Sequence, residues 1–562
     1  MHRPNVDVPL KFPGSVPYAS GWERTVVARP VAIGLSIVFC LGLLSVPAID
    51  AWRGDWGAPV QAVRSGTGAV VRALSGDGPW WRRLLEANRV ALAGIKKFET
   101  AVEDSSVAAS AVRPATLDAL LRHGGAGSEE AYVGGDGWLF YRRDVDALMR
   151  PEGAGKRAPE AIAEFAADLA SHGVRLVFMP VPGKASIHPE HLGSGRAFDH
   201  PLMPVRWEAL REDVLRAWKS EIAARGLQDA RPPVVFDPAR VLWNRKQMSR
   251  GDQYLATDSH WSPEAMEAVA ADLAAVLVAE GAAPPMAAFP EPGSIWVSGL
   301  GDTARMLELP EGSPLRREQK VVIRPVMGIG GKPWMPDRWG EVVLLGDSYT
   351  NIYSSKDLGW GESAGLAEQL SRFLGVPVDR ISRNDAGALE ARRMLAAAAA
   401  KDPEWLRGKK VVVWQLAARE LVEGDWSPVA WQGEVAASAG FFVAPPGHAV
   451  EVVASVAGVG LVPRPGTTPY ADFLTAVHLT DLRDAASGKS LDGESLVYVF
   501  TMRGHRLLPE AALSSGQRVR ARLSNYGDQA ATLDSLNRGE LDDVDVMLET
   551  PNFAPWIEPW RP

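Results

Sequence analysis

The stretch "EVVLLGDSYT", Glu341 to Thr350, decides how the rest of the chain is read. Four apolar residues, Val342 to Leu345, lead straight into Gly346, Asp347 and Ser348. A short, uninterrupted apolar run ended by a glycine has the pattern of a strand covered on both faces. It places Ser348 at the carboxyl end of a strand, the edge along which open α/β sheets bind ligands. Two readings of Ser348 stand at this point. It is a nucleophile, which requires a base to take its proton, or it caps the helix that follows, a common use of Asp and Ser at such a boundary.

The segments around this stretch alternate. "PEAIAEFAADLASHG" is an amphipathic helix closed by Gly173, and "VRLVFMPVP" is a second, mostly apolar strand. "RWEALREDVLRAWKSEIAARG" is a helix ending in Gly226, and "PPVVFD" is a short strand. "SPEAMEAVAADLAAVLVAEG" is a helix with Ser262 as N-cap and Pro263 at its first position. "SAGLAEQLSRFLG" and "KKVVVWQLAAREL" add a helix and a last strand. Strands alternating with helices predict an α/β domain, a parallel sheet flanked by helices, over residues 131–428. It opens with "AYVGGDGWLFYRRD", which predicts a hairpin. Residues 51–130 read as a linker and helical stalk, with 51–80 a linker or a short amphipathic stalk and a helix from Trp80. Beyond about Val429 the helical pattern stops. Runs such as "AVEVVASV" and "SLVYVFTM", separated by Gly, Pro, Asn and Asp, predict a β-sandwich-like module over residues 429–562.

A chain of 562 residues is too long for one ordinary domain. Its net charge of −8 argues against nucleic acid as the main partner. Zinc-type Cys/His spacing and a P-loop are both absent, and no cofactor or metal is implied. Cys40 is the only cysteine, so no intrachain disulfide forms. It lies in "PVAIGLSIVFCLGLLSVPAI", Pro30 to Ile49, which holds no charge and is long enough to cross a bilayer. The expectation is a cytoplasmic segment 1–29 and a single-pass inner-membrane anchor at 30–50, with the body in the periplasm or outside the cell. A cleaved signal is the rival, but the leading segment is long and no Ala-x-Ala site follows. A buried helix is the third reading.

The base that Ser348 needs is offered by "YLATDSHWSPEA", Tyr254 to Ala265. Asp258 and His260 are two residues apart, and in extended chain i and i+2 share a face. A carboxylate beside an imidazole fixes its tautomer and stabilises the imidazolium formed during proton transfer. The alternatives are a plain turn with a surface histidine, or a metal site completed by Asp347.

These stretches occur in one order with "YVGGDGWLFYRRD", "FMPVPGKASIHPE", "GLGDTARMLELP" and "VVVWQLAAREL". The series resembles the alginate O-acetyltransferase AlgJ/AlgX family, whose catalytic domain is SGNH-hydrolase-like. The resemblance covers about Ala131 to Leu421. It implies Ser348 as nucleophile, His260 as general base and Asp258 as its orienter. It further implies an O-acetyltransferase that carries acetyl on Ser348 to hydroxyls of an exported or cell-surface polysaccharide. The implied partners are that polysaccharide and a membrane-bound O-acyltransferase as donor. The Ser348 N–H is one oxyanion donor, and Asn384 with Gly387 is the candidate second. Arg383 grips an acidic sugar or the donor. Lys184 faces the same crevice or an exposed loop, and Tyr353 and Arg419 are weaker candidates. In the AlgX branch a C-terminal β module binds polysaccharide. By analogy of layout Trp431, Phe441, Phe442 and Tyr470 are candidate stacking residues, the alternative being a structural or docking module. Two other functions stay open: a polysaccharide deacetylase or esterase with the same triad, and a non-catalytic glycan-binding assembly protein.

Overall fold

The Gly- and Ala-rich stretch read as a linker or a short amphipathic stalk holds a helix, Gly57–Ser75, and a second helix, Trp80–Ser105, packs against it. Apolar side chains recur often enough along both segments to give two helices a common seam. In this computed structural model, residues 57–75, 79–107 and most of 130–560 are described, with 49, 50, 52, 112, 115–116, 118–121 and 128. Within the long stretch the exceptions are 151–156, 194–197, 249, 283–288, 291, 308, 329–330, 333, 385, 430–440, 464–467, 469, 492, 534–535, 542–545 and 547–548. The expected anchor therefore lies almost wholly outside the described residues, as does Trp431. Among the described residues no helix is long and apolar enough to cross a membrane. Residues 1–112 and 113–562 form two units, and the site lies in the second.

That unit begins with the expected hairpin, β1 (Ala131–Val133) and β2 (Leu139–Tyr141), paired antiparallel. Strands β3 (Arg175–Val181) and β4 (Val234–Val235) follow. A separate antiparallel ribbon, β5 (Ile295–Gly299) and β6 (Gln319–Ile323), comes next. Then come β7 (Val342–Gly346), β8 (Asp379–Ser382) and β9 (Val411–Ala417). The order β4-β3-β9-β7-β8 is parallel throughout, so every strand ends toward the same edge. The apolar run of the opening stretch splits between two cores, as a period of two requires. Val342 and Leu344 enter the core under one helical layer, and Val343 and Leu345 enter the other. Gly346 ends the run because a Cβ there would lie 2.2 Å from Thr350 Oγ1. Ser262 stands at the start of helix Pro263–Ala279, yet its hydroxyl donates to Asp252 O at 2.9 Å and not to the helix.

The C-terminal module is a small barrel, not a sandwich. Strands β10 (Ala449–Val459), β11 (Phe473–Asp484) and β12 (Ser495–Arg503) form a meander with the short β13 (Arg506–Leu507) at its end. β14 (Arg518–Asn525) pairs with β10, β15 (Asn537–Gly539) with β11, and β17 (Ile557–Pro559) with β14. β16 (Asn552–Ala554) closes the ring by pairing with both β12 and β14. One apolar cluster draws residues from all five ring strands and fills the interior. A second, with Leu496, Tyr498 and Phe500, covers the outer face of β12. Sandwiches and barrels share the same alternating strand pattern. The difference lies in a three-residue closing strand some 50 residues downstream of its partner, which local pattern does not encode.

Candidate active site

Three turns at the carboxyl edge of the sheet bring the expected residues together. Ser348, His260, Asp302, Tyr349, Arg383, Asn384 and Arg419 line one cleft of about 500 Å³. Its other wall belongs to the barrel and to the segment before β11: Leu461 to Pro463, Thr468, Tyr470, Phe473, Asn537 and Arg538.

The turn after β7 shows whether Ser348 caps the helix that follows. The cap of helix Ser348–Asn351 is Asp347, whose Oδ1 accepts Tyr349 N–H at 2.9 Å. Ser348 is thereby released from capping and sits at the first helical position, where backbone N–H groups have no intrahelical partner. Asp347 is fixed in turn by β9: Gln415 Nε2 donates to its Oδ1 at 2.8 Å and Ala417 N–H to its Oδ2 at 2.9 Å. Gln415 Oε1 also accepts from Asp347 N–H and from the Thr350 hydroxyl, at 3.1 and 2.8 Å. Burial raises the Asp347 carboxyl above its ordinary range, and the bond from Gln415 partly offsets this. With all these donors engaged, Asp347 does not serve the metal arrangement considered from sequence.

His260 is held with equal firmness. His260 Nδ1–H donates to Asp258 Oδ1 at 2.7 Å, and His260 N–H donates to the same oxygen at 3.0 Å. Asp258 Oδ2 accepts Asp302 N–H at 2.9 Å and Trp360 Nε1–H at 2.8 Å. Burial alone would push the Asp258 carboxyl up. The imidazolium charge and these four donors overcome it and hold the group well below its ordinary value. His260 responds in the opposite sense. Burial disfavours its charged form, but Asp258, then Asp302 and Asp347, raise its pKa above the ordinary value. Its Nε2 is buried and has no hydrogen-bond partner among the described residues. The imidazole therefore has one nitrogen clamped and the other unpartnered, in a residue that lines the same cleft as Ser348. No direct Ser348–His260 hydrogen bond is present. Catalytic hydrogen bonds of this kind often tighten only when substrate is bound.

Asn384 lines the same cleft as Ser348. Its Oδ1 accepts Asn351 Nδ2–H at 2.9 Å, and Asn351 Oδ1 accepts the Ser382 hydroxyl at 2.7 Å. That chain fixes the amide and leaves the Asn384 NH2 to donate elsewhere.

Other expected positions fall away from the reacting edge. Lys184 is neither in the crevice nor on an exposed loop. It is buried in the turn after β3, where Nζ donates to Leu139 O at 2.5 Å and Ala256 O at 3.0 Å, binding the hairpin to the Asp258 segment. Burial lowers its pKa to about 8, while Asp302, Asp258 and Asp144 pull it upward. Tyr353 is buried behind the site, its hydroxyl donating to Trp261 O at 2.6 Å. Gly387, at φ +59°, lines a neighbouring cavity, and a Cβ there would approach Glu420 Oε2 to 2.9 Å. Phe441 stacks on His478 and Phe442 packs on the barrel core, so neither faces the cleft. Arg419 reaches the cleft, yet its guanidinium is paired with Asp144 at 2.9 Å.

Two residues were missed. Asp302 Oδ2 lies 3.5 Å from His260 Nδ1, while Oδ1 accepts Ser259 N–H at 2.6 Å. Burial and the charge of Asp258 push its pKa up to about 6. Gly301 makes this approach possible: at φ +78°, a Cβ there would sit 2.2 Å from Thr257 O. Trp360 is the other, reaching Asp258 across 102 residues of sequence. Asp302 stood in a quoted stretch, "GLGDTARMLELP", but nothing in that stretch specifies contact with His260.

Asp258, His260 and Asp302 group closely enough to suggest metal ligands, as do His188, Glu190 and His191. Hydrogen bonds already occupy the decisive atoms. Asp258 accepts four donors, and His188 Nε2 accepts Gln253 N–H at 3.0 Å, which leaves the proton on Nδ1 facing Glu190.

Residues 131–418 match the family described as SGNH hydrolase-like domain, acetyltransferase AlgX. The probable alginate O-acetylase AlgJ of Pseudomonas putida is 28% identical over 227 residues, 39% of this chain and 54% of that protein. The AlgJ of Pseudomonas aeruginosa is 29% identical over 164 residues, 29% of this chain and 36% of that protein. The chain thus spans only about a third to a half of these relatives. Among solved structures, the O-acetyltransferase domain of Pseudomonas putida AlgJ covers 52% of this chain and 91% of its own, with 21% identity and a TM-score of 0.34. Pseudomonas aeruginosa AlgX covers 77% of this chain and 92% of its own, with 16% identity and a TM-score of 0.35.

Proposed function

Because this chain belongs to the SGNH hydrolase-like AlgX acetyltransferase family, we propose that it transfers acetyl groups, through Ser348, to hydroxyls of an exported or cell-surface polysaccharide. The observation that carries this is the state of His260: Nδ1 clamped by Asp258, Nε2 unpartnered and buried at the cleft that holds Ser348. Nε2 takes the Ser348 proton as Oγ attacks the acetyl carbonyl of a donor ester. The oxyanion forms against the Ser348 N–H and the Asn384 amide. The donor's leaving group departs with the proton from His260. A sugar hydroxyl, deprotonated by Nε2, then attacks the acetyl-Ser348 ester and releases the serine.

Arg538 lines the cleft and suits an acidic, alginate-like polymer, whereas Arg383 and Arg419, also at the cleft, are already paired with carboxylates. The sheet side of the cleft handles the acetyl group, and Tyr470 and Arg538 on the barrel side contact the acceptor. A membrane-bound O-acyltransferase is the proposed source of acetyl. The segment 30–50 is the proposed anchor, placing residues beyond it in the periplasm. The test incubates the protein with an activated acetyl ester and a de-acetylated polyuronate. Acetyl esters on the polymer, absent with Ser348→Ala, are expected. Free acetate with an unmodified polymer would replace transfer by hydrolysis.

A further inference from the structure

The loop that presents Asn384 is tied to the barrel by an ion pair that no motif announces. Arg383 Nη1 lies 2.5 Å from Glu540 Oε1 and 3.4 Å from Glu390 Oε1. Glu540 directly follows β15, and its Oε2 accepts the hydroxyl of Tyr498, in β12, at 2.6 Å. Arg383 N–H donates to Gly346 O at 3.1 Å, two residues before the nucleophile. Residue 383 is thus held at its backbone by the nucleophile strand and at its side chain by the barrel. The next residue is the oxyanion candidate.

We propose that Glu540 is a positioning residue for acetyl transfer. Acting through Arg383, it holds the turn after β8 where Asn384 meets the developing oxyanion, which makes the barrel part of the active site as well as a wall for the acceptor. This rests on the acetyl-transfer reading above. The physical reason is that a buried guanidinium needs a hydrogen-bond acceptor for its N–H groups. Arg383 is buried, and a buried guanidinium stripped of its partner is costly to leave in place. Of its two carboxylates, only Glu390 would remain, on the helix Gly387–Lys401 at the opposite side of the loop. The guanidinium then turns toward that helix and draws the loop with it. Tyr470, from the segment before β11, packs in the core of the sheet domain, a second tie between the two walls.

The test uses the full chain with p-nitrophenyl acetate as donor, following the acetylation rate of Ser348, KM and thermal melting. Glu540→Ala is expected to acetylate about tenfold more slowly at unchanged KM, because small misplacements of an oxyanion donor are expensive in rate. Glu540→Gln keeps acceptor and donor atoms for Arg383 and Tyr498, and is expected within about threefold of the parent. Tyr498→Phe, which frees Oε2, is expected about threefold slower. Parental rates in both Glu540→Ala and Tyr498→Phe would overturn the proposal. So would equal losses in Glu540→Ala and Glu540→Gln, which mark a structural role alone. If Glu540→Ala does not melt cooperatively, Tyr498→Phe decides. No Ser348-dependent adduct in the parent protein would overturn the acetyl-transfer reading itself, and this inference with it.

Discussion

The two walls of the cleft are built on different plans. On the sheet side the reacting groups are locked by backbone. Asp258 accepts the N–H groups of His260 and Asp302, and Asp347 accepts those of Tyr349 and Ala417. On the barrel side, Arg538 extends from a three-residue strand and lies over the rings of Tyr498 and Tyr526, while Tyr470 comes from a connecting segment. In the proposed function, one wall fixes atoms for chemistry and the other, through Arg538, meets the acceptor. Substitutions on the two sides should therefore fail in different ways.

The largest effect is expected at Asp258. Asp258→Asn presents an amide where His260 needs an acceptor and destabilises the imidazolium, so kcat should fall by about 10²- to 10⁴-fold with KM little changed. Asn384→Ala removes one oxyanion donor and should lower kcat by about 10²-fold in the same steady-state assay. A loss below tenfold in either would blur the division of labour between the walls. On the barrel side, Arg538→Ala should raise KM for a polyuronate by about tenfold with kcat preserved, the mark of lost uniform binding. A kcat loss there would merge the two walls.

The smallest effect concerns pH. His260 acts as base only when neutral, so activity rises with pH through its pKa, which its carboxylate neighbours hold above the ordinary value. Asp302, with a pKa pushed up to about 6, carries its charge near neutrality and helps raise His260. Asp302→Asn removes that charge and should move the rising limb of the pH–rate profile to lower pH, by about one unit. A limb that stays in place would show that Asp258 alone sets the base.

The contrast also explains what the sequence could reveal. Ser348, His260 and Asp258 sit in contiguous stretches where strand end, spacing and order are visible, and the parallel sheet follows from alternating periods. Lys184 and Tyr353 lie near strand ends of the same sheet, but both side chains are buried, and Gly387 lines a neighbouring cavity. Asp302, Trp360 and Glu540 act across long separations, so no local period reports them. The barrel was mistaken for a sandwich for the same reason, since its closure depends on β16 meeting β12 and β14.

The most direct measurement is mass spectrometry of the peptide containing Ser348 after brief exposure to an activated acetyl ester and acid quench. The account predicts one added acetyl group on Ser348, absent with His260→Ala and discharged when polysaccharide is added before the quench. An acetyl group on another residue, or none on Ser348 while the polymer is still modified, would contradict it.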